Sequence, residues 1–329
     1  MDLTPPTVVD VLAAQQRIDG LVLRTPAAHY PALDQVVQDA GAHGARVVVK
    51  HENLQRTGAF KIRGALNLLR QLSDDARRRG IVGYSTGNHA QALADAAREV
   101  GAPCTIVMPA APNPVKERAV RALGAEVLLH GERLEDACLL AEETAAERGA
   151  RLVSAANEPD LVAGVATATL ELLLQAPDLD VLVVPVGGGS GAAAAGLVAA
   201  ALAPRLRVVG VQSAASPAAH DSWRAGQPLS RPNGTRAEGL AVGRGFVLTQ
   251  RLLREHLADF LLVEDDVITT AQHAYLTAAH TVAEGAGAAS LAAVLAHPDR
   301  FAGARVGVVC TGANASEAEL RRALLSTAS

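Results

Sequence analysis

The chain has 329 residues, 49% of them hydrophobic, and a formal net charge of −4. This length is enough to bury a core in one or two domains, and the small net charge indicates neither a nucleic-acid nor a membrane partner. The cysteines, Cys104, Cys138 and Cys310, form no CxxC motif and are odd in number. We therefore expect reduced thiols in a cytoplasmic protein rather than a disulfide framework. The N-terminal segment has no basic start followed by an apolar run, so it does not predict a signal peptide.

Short β-rich runs alternate with longer helical patterns along the chain. We predict strands at residues 47–49, 81–84, 105–108, 127–129, 181–184, 208–211, 261–263 and 306–309. The helical patterns include residues 64–72, 90–100, 114–123 and 134–148. This alternation is typical of an α/β fold with parallel sheets and helices on both faces. Residues 213–236 contain several prolines, and we predict a surface excursion there.

One uncharged segment, residues 181–203, is long enough to suggest a membrane span. Pro185 and the glycine-rich run at 187–191 interrupt it. We therefore predict a buried strand, a glycine loop and an Ala-rich helix in its place.

The stretch of residues 52–65 is a polar, glycine-bearing loop that runs into a helical pattern. Lys61 lies at the junction between Phe60 and Ile62, where we expect it to be partly desolvated. Desolvation favours the neutral amine, which can form a Schiff base with an aldehyde cofactor and later act as a base. Most lysines in a first helical turn are simply solvated, so this interpretation depends on further motifs.

A second motif follows the predicted strand at 81–84 and opens a helical pattern. It consists of Ser85, Thr86, Gly87, Asn88 and His89. Exposed amides and the dipole at a helix N-terminus suit a carboxylate. An N-cap loop, with Ser or Thr as the capping residue, is the simpler interpretation, and both can hold.

A third motif lies between the predicted strand at 181–184 and the Ala-rich helix. It consists of Gly187, Gly188, Gly189, Ser190 and Gly191. Glycines allow close backbone approach, so successive N–H groups can face a phosphate. The alternative is a turn that needs glycine for its conformation alone.

A fourth motif, Cys-Thr-Gly-Ala-Asn at residues 310–314, follows the last predicted strand. In this order the four motifs resemble those of the serine/threonine dehydratases, pyridoxal-phosphate (PLP) enzymes of fold type II. The resemblance extends from Thr25 to Asn314. It implies two three-layer α/β/α domains with mostly parallel sheets and the cofactor in the cleft between them. The large domain would comprise residues 1–79 and 153–329, and the small one residues 80–152.

The resemblance also implies a role for each motif. Lys61 would carry PLP, Asn88 would lie beside its phenolic oxygen, and the hydroxyl of Thr311 would face its pyridine nitrogen. The loop at residues 85–89 would bind the substrate carboxylate. Ser190 stands where the family has a fourth glycine. The implied cofactor-binding residues are Phe60, Lys61, Asn88, Gly187, Gly188, Gly189, Ser190, Gly191, Glu284 and Thr311.

We expect no metal site. Some family members bind a divalent cation through a Glu and an Asp just after the strand at 208–211, where this chain has Gln212 and Ala218. Loss of both hard carboxylate ligands disfavours Mg²⁺ or Ca²⁺. The histidines show no zinc-binding spacing.

The activity implied by the resemblance is loss of water from L-threonine, L-serine or both, which gives 2-oxobutyrate or pyruvate plus ammonia. Biosynthetic threonine dehydratases carry an extra C-terminal regulatory domain, whereas about fifteen residues follow Asn314 here, so we expect the catabolic type. Because relatives are dimers or tetramers, we also expect a homo-oligomer that acts on a small-molecule amino acid.

Three alternatives stay open from the sequence. Serine racemases have a Ser in place of Thr86, and its hydroxyl handles the proton on the face opposite the lysine, so Thr86 is a second candidate catalytic residue. Ala59, Thr86 and Ser190 depart from the commonest family pattern, which leaves a specialised β-hydroxy amino acid open as the substrate. The third is a PLP-binding protein without catalysis, although Lys61 and Asn88 are both present.

Two other enzyme classes are disfavoured. Cysteine synthases typically have Ser-x-Lys-Asp-Arg in the lysine loop, whereas this chain has Phe-Lys-Ile-Arg at residues 60–63. A nicotinamide enzyme would require a GxGxxG motif with an acidic ribose partner after a first strand, and no such motif is present.

Overall fold

The computed structural model describes residues 3–112 and 114–326. The helices are α1 (Val8–Ile18), α2 (Pro31–Asp39), α3 (Lys61–Leu69), α4 (Asp74–Arg79), α5 (Asn88–Val100), α6 (Pro114–Ala122), α7 (Leu134–Arg148), α8 (Pro159–Gln175), α9 (Ser190–Leu202), α10 (Ala218–Ala225), α11 (Val247–His256), α12 (Asp265–Ala278), α13 (Gly285–Ala296) and α14 (Glu317–Leu325). The strands are β1 (Ala27–His29), β2 (Arg46–His51), β3 (Ile81–Tyr84), β4 (Cys104–Met108), β5 (Glu126–Leu129), β6 (Arg151–Val153), β7 (Val181–Pro185), β8 (Arg207–Ser213), β9 (Asp259–Val263) and β10 (Arg305–Cys310).

The strands form two sheets. The larger has the order β1-β2-β10-β7-β8-β9, and all its pairs are parallel except β1 with β2. The smaller has the order β5-β4-β3-β6 and is parallel throughout. Consecutive strand residues are buried, as at Val47, Val48 and Val49, because helices cover both faces of a parallel sheet. The predicted fold class is thus confirmed.

The smaller sheet is built from residues 81–153, close to the segment 80–152 that we predict to be a separate domain. The domain boundaries themselves stay a prediction. Each predicted strand lies within an observed one, but β1 and β6 have no counterpart among the predictions. Both have three residues, which is too short to produce a recognisable alternation.

Two predictions need correction. Helix α3 begins at Lys61, three residues before the pattern predicted at 64–72. The prediction of a surface excursion at 213–236 is wrong for the first part of this segment. Helix α10 lies there and buries Ala218 and Ser222. Residues 224–228 and 230–234 are exposed, as predicted.

The segment that resembled a membrane span folds as β7, a glycine loop and α9. Within residues 3–112 and 114–326, no helix has the length and apolar character needed to cross a bilayer.

Helix α3 is held in place by direct backbone contact with α8. A Cβ atom added to Gly64 would lie 2.6 Å from the carbonyl oxygen of Leu161, and one added to Gly164 would lie 2.5 Å from that of Arg63. Glycine therefore allows the two helices to pack closer than side chains would permit. Because Lys61 is the first residue of α3, this crossing also positions the lysine.

Candidate active site

One cavity lies where the loops after β3, β7 and β10 meet the start of α3. Ligands of open α/β folds bind at this carboxyl edge of parallel strands. The predicted site residues all line it: Phe60, Lys61, Ser85, Thr86, Gly87, Asn88, His89, Gly187, Gly188, Gly189, Ser190, Gly191, Glu284 and Thr311. The structure therefore brings together residues that are distant in sequence, while their individual roles stay predictions.

The cavity also has lining residues that sequence analysis did not assign: Tyr84, Lys116, Leu134, Ala155, Pro185, Glu238, Gly239, Leu240, Ala241, Val242, Phe246 and Ala286. Lys116 and Glu238 form an ion pair of 2.6 Å between α6 and the turn that precedes α11. The two residues are 122 positions apart, and nothing in either local sequence indicates the pairing.

The amine of Lys61 is held between an aromatic ring and a hydroxyl group. It donates a hydrogen bond of 2.9 Å to the Oγ atom of Ser190, and it lies 4.9 Å from the ring centre of Phe60. Burial lowers the pKa of Lys61 to about 8. Near neutral pH a usable fraction of the amine is therefore uncharged, as a nucleophile or base requires.

The other two lysines of the chain, Lys50 and Lys116, form ion pairs with carboxylates. Lys50 lies 2.7 Å from a carboxylate oxygen of Glu171. Burial opposes the charge on Lys116, but Glu284 and Glu238 outweigh it and raise its pKa. Lys61 therefore differs from both in having a hydroxyl rather than a carboxylate as its partner among the described residues.

The amide of Asn88 is fixed from two sides. Its Nδ2 group donates to Glu284, and its Oδ1 atom accepts a hydrogen bond of 2.8 Å from Asn314. Asn314 in turn donates to the backbone oxygen of Thr57, 2.9 Å away, in the lysine loop. Among the residues that the structure describes, the second N–H of Asn88 has no acceptor and is available to donate. Asn314 belongs to the fourth motif, but no local sequence pattern indicates this contact.

Glu284 lies at the buried end of this network. Burial raises its pKa, against the opposing effects of Lys116 and the hydrogen bond from Asn88. Gly312 leaves room for this carboxylate, because an added Cβ atom would lie 2.4 Å from it and the carboxylate would have to move.

The loop between β3 and α5 offers backbone donors rather than charged side chains. Gly87 is the N-cap of α5 and supplies no side-chain cap, so N–H groups of the first helical turn stay available for an anion. Burial and the nearby Lys61 lower the pKa of His89 to about 3, so this imidazole is neutral. The prediction that the loop binds a carboxylate fits these donors.

The glycine loop has a shape that side chains would fill. Gly189 has a φ of 94°, in the left-handed region that favours glycine. A Cβ atom on Gly187 would lie 2.3 Å from the carbonyl oxygen of Gly239, and one on Gly188 would lie 3.2 Å from Ala156. The loop leads directly into α9, whose N-terminal N–H groups suit a phosphate.

Replacing Gly187 with alanine is expected to weaken PLP binding at least tenfold, because the new methyl group displaces the loop from the backbone of Gly239. Titration of the cofactor-free protein with PLP, followed by absorbance, measures this. Gly234→Ala is the matched control, since its Cβ atom would lie 3.7 Å from the nearest atom, an ordinary contact. Equal affinities for the two variants would contradict the assignment of the loop.

Gln212, where the sequence predicts the loss of a cation ligand, has a structural role. Its Oε1 atom accepts hydrogen bonds from the backbone N–H groups of Ala219 and His220, at 3.1 and 3.0 Å. In the part of the chain that the structure describes, no three His, Cys, Asp or Glu side chains converge as a metal site.

The model for the family described as "Pyridoxal-phosphate dependent enzyme" matches residues 18–312. The chain belongs to this family. The predicted family and cofactor are therefore confirmed. The cavity of this PLP enzyme also fits the cofactor on its own evidence. Among the described residues, the amine of Lys61 has a hydroxyl and not a carboxylate as its partner, a glycine loop without side chains leads into a helix N-terminus, and Asn88 keeps one N–H group without a partner.

The relatives of this chain are named for different activities. The PLP enzyme is 38% identical to the L-threonine ammonia-lyase of Thermotoga maritima over 310 residues, which are 94% of this chain and 75% of the relative. It is 34% identical to the L-threo-3-hydroxyaspartate ammonia-lyase of Saccharomyces cerevisiae over 94% of this chain and 93% of the relative. The solved structure of maize serine racemase superposes with a TM-score of 0.90 at 29% identity, covering 98% of this chain and 97% of that one.

Proposed function

We propose that this PLP enzyme is an ammonia-lyase that removes water from L-threonine, L-serine or both. The products are 2-oxobutyrate or pyruvate, together with ammonia. The observation that carries the proposal is the hydrogen-bonded amine of Lys61, which faces the same cavity as the carboxylate-binding loop after β3. Ammonia-lyases named for β-hydroxy amino acids are among the relatives with 34% identity or more.

When bound, PLP supplies an electron sink that stabilises negative charge at the α-carbon of the substrate. The backbone N–H groups at the start of α5 hold the substrate carboxylate and so fix that carbon relative to Lys61. The neutral amine of Lys61 accepts the α-proton at its Nζ atom. Thr311 would offer the pyridine nitrogen of PLP a neutral hydroxyl rather than a carboxylate. This arrangement suits elimination, because loss of the leaving group relieves the negative charge at the α-carbon.

The substrate is tested by incubating the holoenzyme separately with L-threonine, L-serine and L-threo-3-hydroxyaspartate. We expect ammonia and a 2-oxo acid in equal amounts, with threonine or serine giving the highest kcat/KM. A preference for hydroxyaspartate would instead support the specialised β-hydroxy amino acid. Absence of ammonia with all three would contradict the ammonia-lyase proposal.

Racemisation is the second candidate, because the hydroxyl-bearing Thr86 lines the cavity and the fold superposes on a serine racemase. If the enzyme is a dehydratase, Thr86→Ala should keep its kcat for 2-oxo acid formation within about tenfold, since Lys61 remains to take the proton. Thr86→Ser is the control that restores a hydroxyl. The two candidates are distinguished by measuring D-amino acid formation in deuterated water. The dehydratase assignment would be contradicted if the wild type racemises faster than it eliminates, and if racemisation is lost in Thr86→Ala but kept in Thr86→Ser.

We also propose a cytoplasmic homo-oligomer, a dimer or a tetramer. The three cysteines are free thiols, as expected in a reducing compartment.

A further inference from the structure

Ser190 makes a contact that a phosphate-binding residue alone does not require. Its Oγ atom lies 2.9 Å from the amine of Lys61, although the two residues are 129 positions apart. Ser190 is 1% exposed, so water does not compete effectively for the hydroxyl. In the described part of the chain, Ser190 is the one hydrogen-bond partner of this amine.

The backbone around Ser190 fixes the direction of its side chain. Gly189, with its φ of 94°, turns the chain so that Ser190 becomes the first residue of α9. On the other side, a Cβ atom at Gly191 would lie 3.5 Å from the ring of Phe60, so that ring packs against the start of the helix. The amine of Lys61 is thereby confined between the ring and the hydroxyl.

A serine hydroxyl can accept a hydrogen bond from one N–H of a neutral amine and still leave the second N–H and the lone pair of the nitrogen free. A carboxylate in the same place would keep the lysine charged, as Glu238 and Glu284 do for Lys116. A glycine would provide no acceptor, so the buried amine would be free to rotate. Serine is therefore suited to orienting the amine without blocking its reaction.

We propose that Ser190 is a positioning residue for Lys61: its hydroxyl holds the free amine by one N–H, which directs the nitrogen lone pair toward the reacting carbon. This role is distinct from contact with the cofactor phosphate. It rests on the proposed function in that Lys61 is the reacting amine, but not on the identity of the amino-acid substrate.

The test uses pyridoxal, which has the aldehyde but lacks the phosphate. The full-length, cofactor-free protein is mixed with pyridoxal, and the rate of imine formation is followed by absorbance as a function of pH. For the wild type we expect a midpoint near the Lys61 pKa of about 8. In Ser190→Ala and Ser190→Gly the ammonium loses its acceptor, so the midpoint should fall by about one pH unit. Ser190→Thr keeps the hydroxyl and should retain the wild-type midpoint.

A second readout separates positioning from binding. In the holoenzyme, Ser190→Ala should lower kcat about tenfold and change KM by less than about twofold. Wild-type midpoints in both Ser190→Ala and Ser190→Gly would overturn the proposal, even if PLP binds more weakly, because the hydroxyl would then serve the phosphate alone. Since the pyridoxal assay contains no amino acid, a failure of the dehydratase proposal leaves its result unaffected.

Discussion

Replacing Lys61 with alanine should remove the absorption band of the imine between lysine and PLP from the purified enzyme and lower 2-oxo acid formation by at least about 10³-fold. The substitution deletes both the group that binds the cofactor covalently and the base that accepts the α-proton. Lys50 and Lys116 cannot replace it, because each is held by a carboxylate within 2.7 Å. Absorbance and a coupled 2-oxo acid assay measure the two effects.

Lys61→Arg is the control for charge and length. Arginine stays protonated and forms no imine under these conditions, so this variant should be as inactive as Lys61→Ala. Circular dichroism of both variants verifies that the fold is retained. Dehydratase activity with a normal PLP spectrum in either variant would contradict the assignment of Lys61.

Replacing Arg63 with alanine should lower the free energy of unfolding by about 3–5 kcal/mol. Arg63 is 0% exposed and donates to Glu52 at 2.7 Å and to Glu171 at 2.8 Å. Removal of the guanidinium leaves two buried carboxylates with Lys50 as their remaining cationic partner. Urea denaturation followed by circular dichroism measures the loss.

The control for this stability change is Arg321→Ala, which removes an exposed ion pair with Glu317 at the protein surface. Exposed pairs of this kind contribute little, so we expect almost no change in unfolding free energy. A loss below about 1 kcal/mol for Arg63→Ala would mean that the buried cluster is not a structural support for α3.

The sequence was sufficient to predict the cavity's position because its motifs are local. Each is a short polar or glycine-rich loop next to a β-rich run, and the parallel strands of each sheet bring their loops to the carboxyl edge of that sheet. The same locality explains the strands that were predicted correctly. The three-residue strands β1 and β6 depend on pairing with distant strands, β2 and β3 respectively, and leave no local pattern.

The environment of Lys61 was only partly predictable. We expected its neighbours Phe60 and Ile62 to desolvate the amine. Ile62 is instead buried in the core. The hydrogen-bond partner of the amine is Ser190 on α9, which the sequence did not predict. The contacts of Asn88 with Asn314 and Glu284 span 226 and 196 positions. Such pairings are determined by how the two sheets are arranged in space, which no window of the sequence encodes.

The most direct test of the central claim is to find which lysine carries the cofactor. The holoenzyme is reduced with borohydride, which makes the PLP–lysine bond permanent, then digested and analysed by peptide mass spectrometry. The chain has three lysines, Lys50, Lys61 and Lys116, so the assignment is unambiguous. We predict the phosphopyridoxyl group on the peptide that contains Lys61. Its presence on Lys50 or Lys116, or on no lysine, would contradict the account.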